Sequence, residues 1–381
     1  MSERPRLAIT GGGTGGHVSP AVAVIEELRQ RSPAPEFLYL GSRSGTEARI
    51  IPVMGLRYVS VSTGKLRRYL SFENLVDTMR VPLGIVQALA HLARFRPHAV
   101  LATGGYVSVP TVIAAWMLRR PVLIHEQTGT LGLANRINAR FASQIALSVP
   151  GSEARLRTAN WVLTGNPVRS AVRGGDRETA ARRFRFNPGE PTVYITGGAQ
   201  GAHAINQAVL GALEPLLRIA QVIHQCGDSE GTRADHEALV RRTRELDDDL
   251  QARYTLLRYV GQEIGEAYAL ADLVIGRAGA GTVNELAALS KPSILVPLPH
   301  SAGDEQRQNA RRMQEAGAAE VIEESSCSPE RIVSLVRELL TDPSRLEAMS
   351  RSAESLGLAH AELRIADLLL ELARTKGRAD V

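Results

Sequence analysis

Short, almost uninterrupted apolar runs recur along this chain, each followed by glycine or a polar residue and then by a helical pattern. In the first half they read RLAIT, EFLYLG, AVLATGG, PVLIHEQ and QIALS; in the second, TVYITGG, AQVIHQCG, YTLLRYVG, ADLVIGRAG and PSILVPLP. A strand with one wet face alternates apolar and polar residues. Runs that do not alternate belong to parallel strands covered on both faces, in βαβ units. The spacing therefore predicts an α/β chain with two Rossmann-like, doubly wound parallel-sheet domains. Pro, Gly and Asn break the rhythm in SVPGSEARLRTANWVLTGNPVRSAV, and TGNPVR is the predicted linker, which puts the domains at residues 1–165 and 166–353. Leu363, Leu368, Leu369 and Leu372 form a helical stripe near the end of the chain, so a helix within residues 354–381 is expected to close back on the first domain.

Two of the strand-to-helix turns are rich in glycine. AITGGGTGGHVSPAVAVIEEL (residues 8–28) contains Gly11, Gly13 and Gly16 in the spacing G-x-G-x-x-G, and VYITGGAQGAHAINQAVLGAL (193–213) repeats the design. Such turns bring free backbone N–H groups and the positive end of a helix to an anion. Binding of NAD also needs a carboxylate about 20 residues on, at the end of the second strand. Here that strand ends in Gly41, Ser42 and Arg43, which leaves NADP open through Arg43 but removes the NAD signature. His17 directly follows the first loop. A helix N-terminus disfavours the imidazolium, so the ring is expected to be neutral and suited to general-base work, or else to cap the helix. A third turn, GRAGAGTVNELAAL, is expected to open a helix at about Thr282 with Glu285 in its first turn, where a carboxylate can take both hydroxyls of a ribose or simply complement the dipole. Gln306 and Asn309 follow, three apart on one helical face.

Composition narrows the ligand. The chain has 381 residues, a net charge of +5 and 4% aromatic residues, which suits a phosphate-bearing ligand or an anionic surface better than stacked nucleic-acid bases. Cys226 and Cys327 match no metal or redox spacing, and Asp247 and Asp249 lie in a run of charges rather than at a strand end, so no metal is expected. The first residues run almost directly into a strand, and no apolar stretch is long enough to span a bilayer, so a cytoplasmic protein is predicted.

Taken in order, TGGGTGGHVSPAVAV, ATGGYVSVP, HEQTGTLGLAN, TGNPVR, ITGGAQGAHAIN and RAGAGTVNELAA resemble the MurG family of bacterial N-acetylglucosaminyltransferases, over roughly residues 8–310. The resemblance implies a GT-B glycosyltransferase fold, with an acceptor-binding, membrane-side N-terminal domain and a C-terminal domain holding UDP-GlcNAc. It implies inverting, metal-independent transfer of GlcNAc to the 4-hydroxyl of MurNAc in undecaprenyl-pyrophosphoryl-MurNAc-pentapeptide (lipid I), giving lipid II for peptidoglycan, without a cofactor. Carried over residue by residue, His17 is the candidate base. Thr14, Gly15 and Gly16 face the donor, Tyr106 and Glu126 belong to the catalytic set, and Asn135 joins Tyr106 on the acceptor side. Arg169 meets the diphosphate, while Thr128, Ala199, Gln200, Asn206, Ala280, Gly281, Thr282, Glu285, Gln306 and Asn309 complete the UDP-GlcNAc site. The chain departs from the family pattern at Ala199, where Ser is usual, and at Thr128, where Asn is usual.

A lipid acceptor implies docking at the cytoplasmic face of the membrane without spanning it. Leu75, Met79, Leu83, Ile85 and Trp116, near Lys65, Arg67, Arg68, Arg80, Arg119 and Arg120, are the expected surface. Three other readings remain at this point: a related transferase acting on diacylglycerol, an NADP-dependent oxidoreductase, and a non-catalytic nucleotide-sugar binder.

Overall fold

In the computed structural model, residues 4–64, 72–156, 160–261, 263–357 and 360–377 are described, with backbone only for 72–79, 155, 302, 376 and 377. The chain divides into two compact units, residues 1–169 with 358–381, and residues 170–357. Each is built on one parallel sheet.

In the first unit the strands are β1 (Arg6–Thr10), β2 (Glu36–Gly41), β3 (Arg57–Ser60), β4 (Ala99–Ala102), β5 (Val122–Glu126), β6 (Gln144–Leu147) and β7 (Trp161–Leu163), in the order β3-β2-β1-β4-β5-β6-β7. The helices between them are α1 (Gly15–Arg29), α2 (Thr46–Val53), α3 (Phe72–Phe95), α4 (Ser108–Met117) and α5 (Leu133–Asn138). Leu7, Ile9, Ala99 and Leu101 pack on one side of the sheet with α1, whereas Ala8, Val100 and Ala102 pack on the other with Ala88, Leu92, Val112 and Ala115 of α3 and α4. Both faces are therefore dry, which is why these strands read as continuous apolar runs.

The second unit repeats the plan with β8 (Thr192–Thr196), β9 (Gln221–Gln225), β10 (Tyr254–Leu257), β11 (Leu273–Gly276), β12 (Ser293–Leu295) and β13 (Ala319–Val321), ordered β10-β9-β8-β11-β12-β13. Its helices are α6 (Ser170–Arg173), α7 (Arg177–Phe184), α8 (His203–Leu217), α9 (Arg233–Arg244), α10 (Asp248–Gln251), α11 (Ile264–Leu270), α12 (Ala280–Ala288), α13 (Glu305–Glu315), α14 (Pro329–Leu340) and α15 (Pro343–Leu356). Start signals are explicit: Ser328 accepts from Arg331 N ahead of Pro329, and Ile332, Leu335, Val336 and Leu339 then bury one stripe of α14. Asp247 sits at the N-cap position of α10 without a side-chain capping bond, and Asp249 is exposed on the helix, away from any strand end.

The last helix, α16 (Ala361–Gly377), returns to the first unit and packs on α1, β4 and β5. The returning segment begins at residue 358, after α15 ends at Leu356 within the second unit. Three strands escape the sequence reading, β3, β7 and β13. All are short edge strands with partly exposed residues, so they lack the apolar run that marks the interior strands.

Leu369 is fully buried against the β1 and β4 face. Leu369→Ala is expected to cost the first unit about 2–5 kcal/mol. Urea unfolding followed by hydrogen exchange should show the loss in amides of β1 and β4 and leave β8 and β11 unchanged.

Candidate functional site

At the end of β1 the chain turns through Gly11–Thr14 into α1, and His17 is the third residue of that helix. Gly13 has φ +88°, and a Cβ there would lie 2.8 Å from Tyr106 Cε1, so both backbone and ring require glycine. Tyr106 thus covers the loop from the β4–α4 turn. Thr14, Gly15 and Gly16 are exposed at the start of α1.

Beneath the loop lies a residue the sequence reading passed over. Glu47 of α2 is fully buried; its Oε2 accepts from Gly13 N at 2.9 Å, and its Oε1 from Ser42 N at 2.9 Å and Ser42 Oγ at 2.5 Å. Tyr39 OH donates to Gly11 O at 2.7 Å, and Tyr58 OH donates to Ser42 O. The second strand does have its carboxylate, six residues beyond its end, but aimed inward at the loop instead of outward at a ribose. The only signal was an acidic residue in the first turn of a short helix.

His17 Nδ1 lies 3.2 Å from Thr103 O and 2.7 Å from Gln127 Nε2, and Thr103 Oγ1 donates to His17 O at 2.6 Å. Burial lowers the pKa of His17 below its ordinary 6.5, against the opposing pull of Glu126, the Thr103 carbonyl and Glu47. The ring is neutral at pH 7, as the sequence implied, but desolvation rather than the helix N-terminus is the main cause.

Glu126, at the end of β5, is buried with both oxygens engaged. Oε1 accepts from Thr128 N at 3.1 Å and Thr128 Oγ1 at 2.8 Å, and Oε2 from Gly132 N at 3.1 Å and Asn135 Nδ2 at 3.0 Å. Asn135 also donates to His125 O at 2.9 Å. These two residues hold the loop after β5 in shape, and Thr128 replaces an amide with a hydroxyl that serves this purpose. Arg169 is half-buried, with Nε enclosed.

In the second unit, the loop after β8 forms one wall of a cavity of about 600 Å³, lined by Gly197, Gly198, Gln200, Gly201, Ala202, His203 and Ala204, with Arg277, Gly279, Thr282, Leu298, Gln306 and Glu324. Gly201 has φ +78°, and a Cβ there would meet Cys226 O at 2.2 Å. Ala199 is exposed, and its carbonyl accepts from Asp228 N at 3.0 Å. α12 begins at Ala280, with Gly279 as its cap, two residues earlier than the sequence suggested; Glu285 therefore falls in the second turn, where it accepts from Tyr268 OH at 3.0 Å. Ala280 is nearly buried, while Gly281 and Thr282 are partly open.

Gln306 Oε1 accepts from Leu298 N at 2.9 Å and Asn309 Nδ2 donates to Ala278 O at 3.0 Å, so both amides bind the loops that shape the cavity. Asn206 lies deeper, beneath the loop. It is 1% exposed, its Nδ2 donates to Cys226 O and Asp235 Oδ2 at 2.9 and 3.0 Å, and its Oδ1 lies 3.1 Å from His224 Nε2. It supports the loop from beneath. Asp235 is buried as well and takes His203 Nδ1 at 2.8 Å, leaving that exposed imidazole at the cavity wall. Sequence spacing gives no sign of this pair, because its members sit 32 residues apart on α8 and α9.

The expected apolar surface is altered by helix phase. Leu83 (51% exposed) and Val86 (62%) face outward one turn apart, whereas Ile85 shares the inward face with Ala88 and Leu92. Trp116 and Met117 are about half exposed, Arg80 and Arg119 are exposed, and Arg120 is half-buried. Lys65, Arg67 and Arg68 lie outside the described residues, as do the side chains of Leu75 and Met79.

Residues 7–147 match the Glycosyltransferase family 28 N-terminal domain, and residues 192–366 its C-terminal domain. Over 376 residues the chain is 34% identical to a UDP-N-acetylglucosamine--N-acetylmuramyl-(pentapeptide) pyrophosphoryl-undecaprenol N-acetylglucosamine transferase of Halothermothrix orenii, covering 97% of this chain and 99% of that one. The enzyme of the same name from Moorella thermoacetica is 38% identical over 96% of this chain and 98% of its own. The chain belongs to the MurG family. The crystal structure of MurG from Acinetobacter baumannii superposes with a TM-score of 0.74 at 26% identity, covering 96% of this chain and 99% of that one. The two parallel-sheet units are thus those of the GT-B fold, and the NADP-dependent oxidoreductase reading is set aside.

His224 is buried among Asn206, Tyr254 and Asp235, and burial pulls its pKa down to about 3. The unfolded chain titrates near 6.5, so it takes up the proton first as pH falls. Stability is complete above about 6.5 and declines toward 3, by about 1.4 kcal/mol per pH unit. Between pH 7 and pH 5 the second unit should lose about 2 kcal/mol in urea titrations. His224→Asn should flatten that slope; an unchanged slope would mean that another group carries it.

Proposed function

We propose that this protein transfers GlcNAc from UDP-GlcNAc to the 4-hydroxyl of MurNAc in undecaprenyl-pyrophosphoryl-MurNAc-pentapeptide, with inversion at the anomeric carbon. The observation that carries the reading is the match, over nearly the full length of both chains, to transferases named for this donor and acceptor. In the reaction the acceptor oxygen forms a bond to the anomeric carbon, the bond from that carbon to the diphosphate oxygen breaks, and UDP departs. His17, neutral at pH 7, receives the hydroxyl proton.

The donor belongs in the cavity of the second unit. Gly198, Gln200 and Gly201, the start of α12 and Arg277, whose guanidinium pairs with Glu324, line it there, and the loop and helix start suit a diphosphate. Glu285 holds the ribose, and Gln306 and Asn309 keep the surrounding loops in place. Ala199 lacks the hydroxyl usual in the family, but backbone amides still line the loop. Arg169 meets the diphosphate, and Tyr106 with the loop braced by Glu126 and Asn135 receives the acceptor. Leu83, Val86, Trp116 and Met117, rimmed by Arg80, Arg119 and Arg120, form the surface that docks on the cytoplasmic face of the membrane; among the described residues no helix is long and apolar enough to cross it.

Transfer of labelled GlcNAc to a short-chain polyprenyl-pyrophosphoryl-MurNAc-pentapeptide tests the reading, with diacylglycerol as a competing acceptor. Label in the MurNAc lipid supports it, and label in diacylglycerol or in neither acceptor overturns it. His17→Ala should lower kcat by about 10²–10⁴-fold with donor KM little changed. Glu285→Ala should raise donor KM by about ten- to a hundredfold, the loss expected for hydrogen bonds to a charged group. An unchanged constant would remove the ribose contact.

A further inference from the structure

The reactive end of His17 is Nε2, which carries no hydrogen bond among the described residues. Whether it can take a proton depends on the other nitrogen. A neutral imidazole holds one N–H; if that hydrogen is on Nε2, the ring cannot serve as a base there. Two groups compete for Nδ1. Thr103 O, at 3.2 Å, can only accept. The Gln127 amide, at 2.7 Å, can donate through Nε2 or accept through Oε1, since a half-turn about its last bond exchanges the two.

With Nε2 toward the ring, Gln127 asks Nδ1 to be a lone pair and leaves the Thr103 carbonyl without a proton from His17. Oε1 is then enclosed without a partner. With Oε1 toward the ring, Nδ1–H donates to both oxygens, and the NH2 group takes the enclosed position. One amide atom is left unpaired either way, so this cost does not decide between the orientations. The Thr103 carbonyl does, because it cannot reverse its role.

We propose that Gln127 is a positioning residue that, with the Thr103 carbonyl, holds the hydrogen of His17 on Nδ1 and so keeps the Nε2 lone pair open toward the acceptor hydroxyl. Gln127, directly after β5, is 6% exposed, and its neighbour Glu126 is fully engaged with Thr128, Gly132 and Asn135, so that carboxylate does not orient the ring. The inference rests on the transferase reading for its catalytic meaning, but the tautomer is a property of the resting protein.

The first test therefore needs no substrate. The full-length protein is labelled with ¹⁵N-histidine, and the His17 resonances are identified by their disappearance in His17→Gln. At pH 7.5 the wild type should show a pyrrole-type Nδ1 and a pyridine-type Nε2; the reverse pattern overturns the proposal. In turnover, Gln127→Leu should lower kcat by about 10–100-fold while donor KM stays within about twofold. Gln127→Glu, which keeps an acceptor oxygen facing Nδ1, should recover much of that loss. Equal kcat in wild type and Gln127→Leu, or equal losses in both variants, would overturn it. Absence of transfer in the wild type would defeat the transferase reading and leave the tautomer measurement to stand or fall alone.

Discussion

The carboxylate of Glu47 lies where water does not reach it, directly under a loop whose glycines have no side chains to keep it away. A buried carboxylate is tolerated only when its oxygens are hydrogen-bonded, and here the donors are the loop itself and the turn after β2. The contact ties the β1–α1 turn to the β2–α2 turn. It thereby fixes where α1 begins, and with it where His17 meets Thr103 and Gln127.

The two glycine loops are alike in sequence and different in use. Under the first, a carboxylate takes the Gly13 amide and sets a negative charge close to the place where a phosphate would sit. Under the second, Asn206 holds the Cys226 carbonyl, and Asp235 is turned toward His203, Asn206 and Gln207 instead of the loop amides. The second loop forms one wall of a cavity, while the first sits on a buried carboxylate at the start of the helix that carries His17.

Much of this was legible in the sequence, and what was missed has a common cause. The interior strands announce themselves because both faces of each sheet are dry, and the ten apolar runs all became strands. The loops and His17 stood out because glycine spacing is local. Glu47, Gln127 and Asp235 did not, because each acts through partners brought close only by the fold; Gln127 lies 110 residues from His17. Asn206 came from the family pattern alone, and only the fold shows that it is buried with both amide atoms engaged. Ile85 and Val86 differ by one step of a helix, a shift of about 100° that fixes which of them is wet.

The course of the chain also bears on its synthesis. Ile365, Ala366 and Leu369 of α16 cover the sheet face formed by Ile9 and Leu101, yet they are made only after the whole second unit. A ribosome adding about 5–20 residues per second needs about 10–40 s to build the second unit after the first. For that time the first unit has all its strands and lacks part of its lid. The nascent chain therefore exposes an apolar groove beside α1 while the second unit folds, a natural place for a chaperone to hold until the last helix arrives.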